Sequence, residues 1–203
     1  LNNTPAEKRA LRQQMRHQRR SLSPTQQREA AIGVRNRIRN QLWFLRARHI
    51  ALYLPNDGEI DPTPLIKLCW KMGKKVYLPV LHPIRHNRLW FIHYTPDTRM
   101  TPNRFGIPEP SLQKHPRRPA WAMDLVMLPL VAFDADGNRM GMGGGFYDRT
   151  FGYKLKVKGM KGARLIGLAH EFQRVGELPV QPWDVPLFGI VTNRANYLRH
   201  RSV

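Results

Sequence analysis

The run Leu125-Val-Met-Leu-Pro-Leu-Val-Ala-Phe133, with Asp124 before it and Asp134-Ala-Asp136-Gly137 after it, narrows the fold more than any other feature of this chain. It carries no charge and no alternation of apolar with polar residues, so neither of its faces belongs in water. It predicts a strand over 125–133 buried on both sides, within a sheet that helices cover. Shorter apolar runs predict further strands over 49–54, 76–80, 89–94, 165–169 and 189–192. Thr4-Pro-Ala-Glu7 and Ser23-Pro-Thr-Gln26 each offer a hydroxyl cap, a Pro at the first helical position and a Glu or Gln able to reach back. They predict helices over 5–20 and 24–43, the second with Ala31, Val34, Ile38 and Leu42 on one face. A third, over 62–72, places Leu65, Cys69 and Met72 on one side and closes at Gly73. Together these elements predict an α/β sandwich. The Pro- and Arg-rich stretch 95–119 reads as an ordered loop excursion, and no internal repeat is visible.

Lys and Arg number 34 against 14 Asp and Glu, a formal net charge of +20, while 41% of residues are hydrophobic. That apolar share is enough to form a core and excludes wholesale disorder. The first fifty residues hold twelve of the basic side chains against only Glu7 and Glu29. Such an excess attracts polyanions in general: nucleic acid, an acidic membrane surface, nucleotide phosphates or a ligand with several carboxylates. Most of these arginines read as solvated helix faces. No stretch reaches the roughly 18 uninterrupted apolar residues of a membrane span. Cys69 is the only cysteine, which excludes an internal disulfide and a cysteine zinc site, so a reducing, cytoplasmic setting is expected.

Chemistry concentrates after the long apolar run. Arg139-Met-Gly-Met-Gly-Gly-Gly-Phe-Tyr-Asp148 combines an arginine, four glycines, two aromatics and an acid, and a helix is expected to begin near Phe146. Glycines let backbone amides approach a ligand closely, and a helix start supplies unpaired N–H donors. In physical terms this is a phosphate cradle, to which Arg139 adds a bidentate cation and Asp148 a hard oxygen ligand for magnesium. The loop lacks the Lys-Ser/Thr ending of a P-loop and the spacing of a dinucleotide fingerprint.

This segment, preceded by Leu128-Pro-Leu and Phe133-Asp, resembles the signature of the 5-formyltetrahydrofolate cyclo-ligase (methenyltetrahydrofolate synthetase) family. Three other segments are similar to that family in the same order: Lys8-Arg-Ala-Leu-Arg12, Leu52-Tyr-Leu-Pro-Asn-Asp-Gly-Glu-Ile60, and Leu178-Pro-Val-Gln-Pro-Trp-Asp-Val-Pro186. The resemblance implies one α/β domain over residues 1–203, three layers (α/β/α) around a mostly parallel central sheet, with the basic helices at about 5–43. It also implies a ligase that uses ATP and Mg²⁺ to cyclise 5-formyltetrahydrofolate to 5,10-methenyltetrahydrofolate through a phosphorylated formyl group, releasing ADP and phosphate.

Carried over residue by residue, the resemblance gives Lys8, Arg9, Arg12, Arg139, Gly141, Gly143, Gly144, Gly145, Phe146 and Tyr147 to ATP. It gives Arg12, Leu54, Glu59, Met142, Gly143, Gly144, Gly145 and Phe146 to the folate. Arg139, Tyr147 and Asp148 are the expected catalytic groups, and Asp148 and Asp184 the expected magnesium ligands. Where some family members carry Lys in the glycine loop this chain has Gly144, so the phosphate charge falls to Lys8, Arg12, Arg139 or Arg149. The expected partners are ATP and 5-formyltetrahydrofolate, whose polyglutamylated form would suit the excess basic surface. The protein is expected to be a monomer, with neither membrane nor nucleic acid as a partner. The competing readings are a basic nucleic-acid-binding protein, which explains the charge but not the glycine loop, and an enzyme of the same fold with another substrate.

Overall fold

The structure, a computed structural model, describes residues 4–103, 106–111, 116–156 and 162–199. Helices α1 (Pro5–Arg20) and α2 (Pro24–Ile38) start where the capping residues place them. In α1, Glu7 N–H donates to Thr4 Oγ1 at 3.2 Å while Thr4 N–H donates to the Glu7 carboxylate at 3.1 Å, and Ser23 and Gln26 do the same for α2. The second helix stops earlier than its apolar stripe predicts. A turn at Arg39-Asn40 precedes the single turn α3 (Leu42–Leu45), which rotates Trp43 and Phe44 into the core and leaves Leu42 66% exposed.

Strand β1 (His49–Ala51), helix α4 (Thr63–Lys71) and strand β2 (Lys75–Leu81) form a parallel crossover unit, and Gly73 ends α4 at φ 68°. Met72, placed on the buried side from its spacing, lies past the helix end and is 41% exposed. The next strand, β3 (Leu89–Tyr94), returns antiparallel to β2. Residues 104–105 and 112–115 of the 95–119 stretch lie outside the described residues; of the rest, β4 (Met100–Pro102) pairs with β5 (Pro108–Pro110), and β6 (Arg117–Arg118) adds a short edge beside β3, so the excursion carries strands of its own.

The long apolar run does not form one strand. Only β7 (Leu125–Pro129) lies in the main sheet; β8 (Ala132–Phe133) swings out to pair with β9 (Arg139–Met140) in a hairpin. The break occurs because the Leu130 and Val131 carbonyls are each taken by the buried Gln173 amide at 2.8 Å instead of by a neighbouring strand. Asp134, 1% exposed, accepts from the Asp136 and Asn138 N–H groups, the Asn138 side chain and the Leu178 N–H, and so fixes the hairpin turn. The chain continues through α5 (Phe146–Phe151), α6 (Tyr153–Lys156), β10 (Arg164–Ala169), β11 (Gly189–Thr192) and β12 (Asn196–Leu198).

The eight-stranded sheet has the order β12-β11-β10-β7-β1-β2-β3-β6, parallel from β11 to β2 and antiparallel at both edges. Residues alternate between its faces. Ile50, Leu125, Met127, Ile166 and Val191 pack under α2, α3 and α4, whereas Ala51, Val126, Leu128, Leu165 and Ile190 pack against Phe151 of α5 and the 185–187 segment. This is the expected α/β domain, with one helical layer much thicker than the other. Chain order reverses between β1 and β7, and at such a switch point the segments leaving adjacent strands diverge and open a crevice at their carboxyl ends. Among the described residues no helix is long and apolar enough to cross a membrane.

A third cluster, Leu11, Met15, Val131, Ala132, Met140 and Leu178, seats α1 on the β8–β9 hairpin. Beyond it Arg19 lies fully inside the protein, unlike the solvated arginines around it, and its guanidinium donates to Asp57 at 2.8 Å. Gly58, at φ 71°, fits so closely here that a Cβ would stand 2.6 Å from the Arg19 carbonyl oxygen. Its own carbonyl accepts from Gln27 at 3.2 Å and from His170 Nε2 at 3.1 Å. Gly58→Ala is therefore expected to lower the unfolding free energy by about 2–4 kcal/mol, from left-handed backbone strain plus overlap with α1, measured by urea denaturation.

Candidate functional site

A cavity of about 1200 Å³ opens above the β1/β7 switch point. Three stretches far apart in sequence wall it: Lys8 and Arg12 of α1, Glu59 after β1, and, from the third, residues 128–131 together with the run from Arg139 through the glycine loop to Thr150. Residues 178–184 close one side. Six cations (Lys8, Arg12, Arg88, Arg139, Arg149, Lys156) and three acids (Glu59, Asp148, Asp184) line it, so it favours anions while keeping carboxylates for other work.

The glycine loop is fixed from both sides. Arg12 Nε donates to the Gly141 carbonyl at 2.9 Å, and Arg149 donates to the Gly144 carbonyl at 2.5 Å. Gly143 and Gly145 have φ of 96° and 63°, and a Cβ at Gly144 or Gly145 would fall 2.7 Å from the Phe146 ring or the Arg149 guanidinium. The short helix α5 begins with Gly145 as its cap, in the left-handed conformation and without a side-chain cap bond. The departure at Gly144 thus has a local reason: a long side chain there would have to displace the Phe146 ring.

Arg139, at the end of the hairpin, donates to Asp148 Oδ1 and to the Val185 carbonyl, each at 2.5 Å, and Asp148 Oδ1 also accepts from Val185 N–H at 3.1 Å. One arginine and one aspartate thereby clip α5 to the 178–186 segment and bring Asp184 to the same cavity as Asp148. Asp184 Oδ2 accepts from Gln181 N–H at 2.9 Å. Each aspartate so keeps its second oxygen outside these bonds.

Glu59 sits at the cavity wall with its side chain 14% exposed. Burial pushes its carboxyl up to about 7, against the lowering effect of Arg19 and of the Asn56 N–H that donates to Oε2 at 3.1 Å. Burial, reinforced by the Glu59 charge, also raises the phenols of Tyr147 and Tyr53. At neutral pH Glu59 is poised between its two protonation states beside two neutral hydroxyls, an arrangement suited to hydrogen-bonding a nitrogen-rich heterocycle.

Of the residues singled out from the sequence, Lys8, Arg12, Glu59, Arg139, Gly141, Met142, Gly143, Gly144, Gly145, Phe146, Tyr147, Asp148 and Asp184 all line this one cavity. Two do not: Arg9 projects from the exposed side of α1, and Leu54 packs against the core under the sheet. Spacing explains Arg9, because Lys8 and Arg12 share a helix face that the residue next to Lys8 cannot join. Sequence reading missed Arg88, an unremarkable loop residue, and Trp183, 65% exposed on the rim. The second had a signal, since it precedes Asp184 in a segment already noted. Among the described residues no three His, Cys, Asp or Glu side chains form a group that could hold a metal unaided.

Comparison with known proteins agrees with this geometry. The model of the 5-formyltetrahydrofolate cyclo-ligase family matches residues 4–193. A 5-formyltetrahydrofolate cyclo-ligase of Haemophilus influenzae is 45% identical over 89% of this chain and 95% of its own length. That of Escherichia coli K12 is 42% identical over 88% and 96%. The solution structure of an Aquifex aeolicus 5,10-methenyltetrahydrofolate synthetase superposes with a TM-score of 0.79 at 31% identity, covering 97% of this chain and 95% of the other. The match of residues 4–193 to a family of enzymes, together with the cavity built from the same four segments, shows that this chain belongs to the 5-formyltetrahydrofolate cyclo-ligase family.

Proposed function

We propose that the chain cyclises 5-formyltetrahydrofolate to 5,10-methenyltetrahydrofolate at the expense of ATP. The observation that carries this reading is the meeting, in one cavity, of a buried carboxylate and a cation-flanked glycine loop. Glu59 and its neighbouring phenols would take the N–H groups of the pterin, while Lys8, Arg12 and the loop amides would take the phosphates. The formyl oxygen of an amide is a poor leaving group. Transfer of the γ-phosphoryl group to it breaks the bond to ADP and makes an oxygen that departs as phosphate. The second folate nitrogen then attacks the formyl carbon, closes the ring and sheds its proton. Such a phosphoryl transfer is served by positioning and positive charge more than by covalent help from the protein.

The donor set also fits magnesium. Asp148 and Asp184 would hold the ion, since Mg²⁺ is usually bound by one or two carboxylates together with substrate phosphates and water. When bound it supplies charge neutralisation at the phosphates. Arg139 aims Asp148, and Tyr147 stands within electrostatic reach of both Glu59 and Arg139, where it would bridge the folate and nucleotide ends. The reading extends to a monomer in the reducing cytoplasm, in keeping with the buried, unpaired Cys69, and to folates with or without a polyglutamate tail.

Mixing the protein with 5-formyltetrahydrofolate and Mg-ATP is expected to raise absorbance in the methenyl band only when ATP and Mg²⁺ are both present; folded protein giving no rise would sink the proposal. Asp148→Asn preserves acceptors for Arg139 and Val185, so turnover should drop about 100-fold or more with little loss of Tm. Glu59→Gln is expected to raise KM for the folate at least about tenfold and leave KM for ATP near wild type, as seen in paired saturation curves. The same variant tests linkage. A carboxyl at about 7 in the folded state against 4.5 free destabilises the fold increasingly as pH rises from 4.5 to 7, so Glu59→Gln should melt higher than wild type at pH 8, by a margin that narrows toward pH 5.

A further inference from the structure

Three arginines of α1 converge on one acid. Asp57 accepts from Arg16 at 2.6 Å and from Arg19 at 2.8 Å, and Arg20 bonds its other oxygen. One carboxylate cannot neutralise three guanidiniums, and the three differ in surroundings. The side chains of Arg16 and Arg20 are 38% and 59% exposed, so water screens them, whereas that of Arg19 is 1% exposed and is not screened. Its Nη1 reaches toward the Leu130 carbonyl at 3.5 Å and stands 3.9 Å from Glu59 Oε1, an ion pair too long for a direct hydrogen bond. Its Nε has no partner. A buried arginine with an orphaned donor is a costly way to anchor a helix that Leu11 and Met15 already seat.

We propose that Arg19 is a positioning residue for the folate-facing carboxylate: Asp57 and the Leu130 carbonyl aim its guanidinium so that the surplus positive charge of the node holds Glu59 as an acceptor at the cavity wall. This rests on the reading of Glu59 as the folate-binding acid. The other groups facing Glu59 cannot do the same. Asp57, in its own turn, repels it; Tyr53 and, from α5, Tyr147 are neutral phenols whose ionisation is pushed up; the Asn56 amide is a dipole, not a charge. Among the described residues Arg19 is the one that opposes burial with a full charge. The turn that carries Glu59 is held at the Gly58 carbonyl by Gln27 and His170, which fixes the backbone from which the Glu59 side chain approaches Arg19.

The chain has six glutamates, so protein labelled with ¹³C at the glutamate carboxyl resolves Glu59, assigned by its loss in Glu59→Gln. In wild type the Glu59 midpoint is expected at about 7. Arg19→Met should raise it by about 1–3 units and Arg19→Lys should restore most of that shift. Asp57→Asn keeps an acceptor for Arg19 and removes the repelling charge, so it should move the midpoint down, whereas Arg19→Gln, which keeps donors for Asp57 and loses the charge, should move it up and decides the matter if Arg19→Met does not fold. The acid limb of kcat/KM for 5-formyltetrahydrofolate should follow the midpoint in each variant, giving Arg19→Met about a fivefold or greater loss at pH 7 that is recovered toward pH 9. KM for ATP should stay near wild type. A midpoint that does not move, or a loss of Tm with an unshifted pH profile, overturns the proposal. Wild-type protein that titrates as expected yet forms no methenyl product would overturn the folate reading and not the pairing of Arg19 with Glu59.

Discussion

The buried contact between Arg19 and Asp57 is the constraint around which the site is arranged. It joins the end of α1 to the turn after β1, and through the Leu130 carbonyl it touches the point where the chain leaves β7. Those are the three stretches that wall the cavity. An ion pair taken out of water gains little unless its geometry is held and its remaining groups are met, which is why Gln27, His170 and Gln173 surround it with directed hydrogen bonds. Burial drives His170 down to about 4, so at neutral pH it is a neutral ring donating to Gly58 and adds no further cation to a node already rich in them.

A second clip, Arg139 with Asp148 and Val185, does for the glycine-loop end of the cavity what the Arg19–Asp57 contact does for the Glu59 end. It also explains how two aspartates more than thirty residues apart reach one cavity without sharing an element: Asp148 accepts the very amide that follows Asp184. Between the clips the glycine loop is held by carbonyl contacts to Arg12 and Arg149. A loop so pinned is preorganised for a ligand and loses less entropy on binding than a free one.

Stability and function pull apart at Glu59. An aspartate or glutamate that burial drives to about 7 weakens the fold once it ionises, and a protein selected for stability alone would carry Gln or an apolar residue there. The carboxylate is retained where a substrate with several N–H groups is expected to meet it. The same trade recurs at Met142 and Trp183, 51% and 65% exposed at the cavity, where apolar surface is left facing water.

Much of this was legible in the order of residues. The capping boxes of α1 and α2, the buried strands, the Asp136-Gly137 turn and the glycine loop are local features, set by which side chains can cap, bury or turn the backbone within a few residues. Lys8 and Arg12 were singled out by the family resemblance, and the 3.6-residue period adds only that they share one helix face. What the sequence could not show is what a distant neighbour decides. Leu42 continues an apolar stripe yet faces water, because the chain turns first to put Trp43 and Phe44 in the core. The 125–133 run is apolar throughout yet splits, because Gln173, some forty residues on, takes the carbonyls that a strand would have shared. Arg19 looks like every other arginine on its helix. Only packing singles it out, since burial, and with it the strength of a charge, is a property of the whole fold and not of the residue.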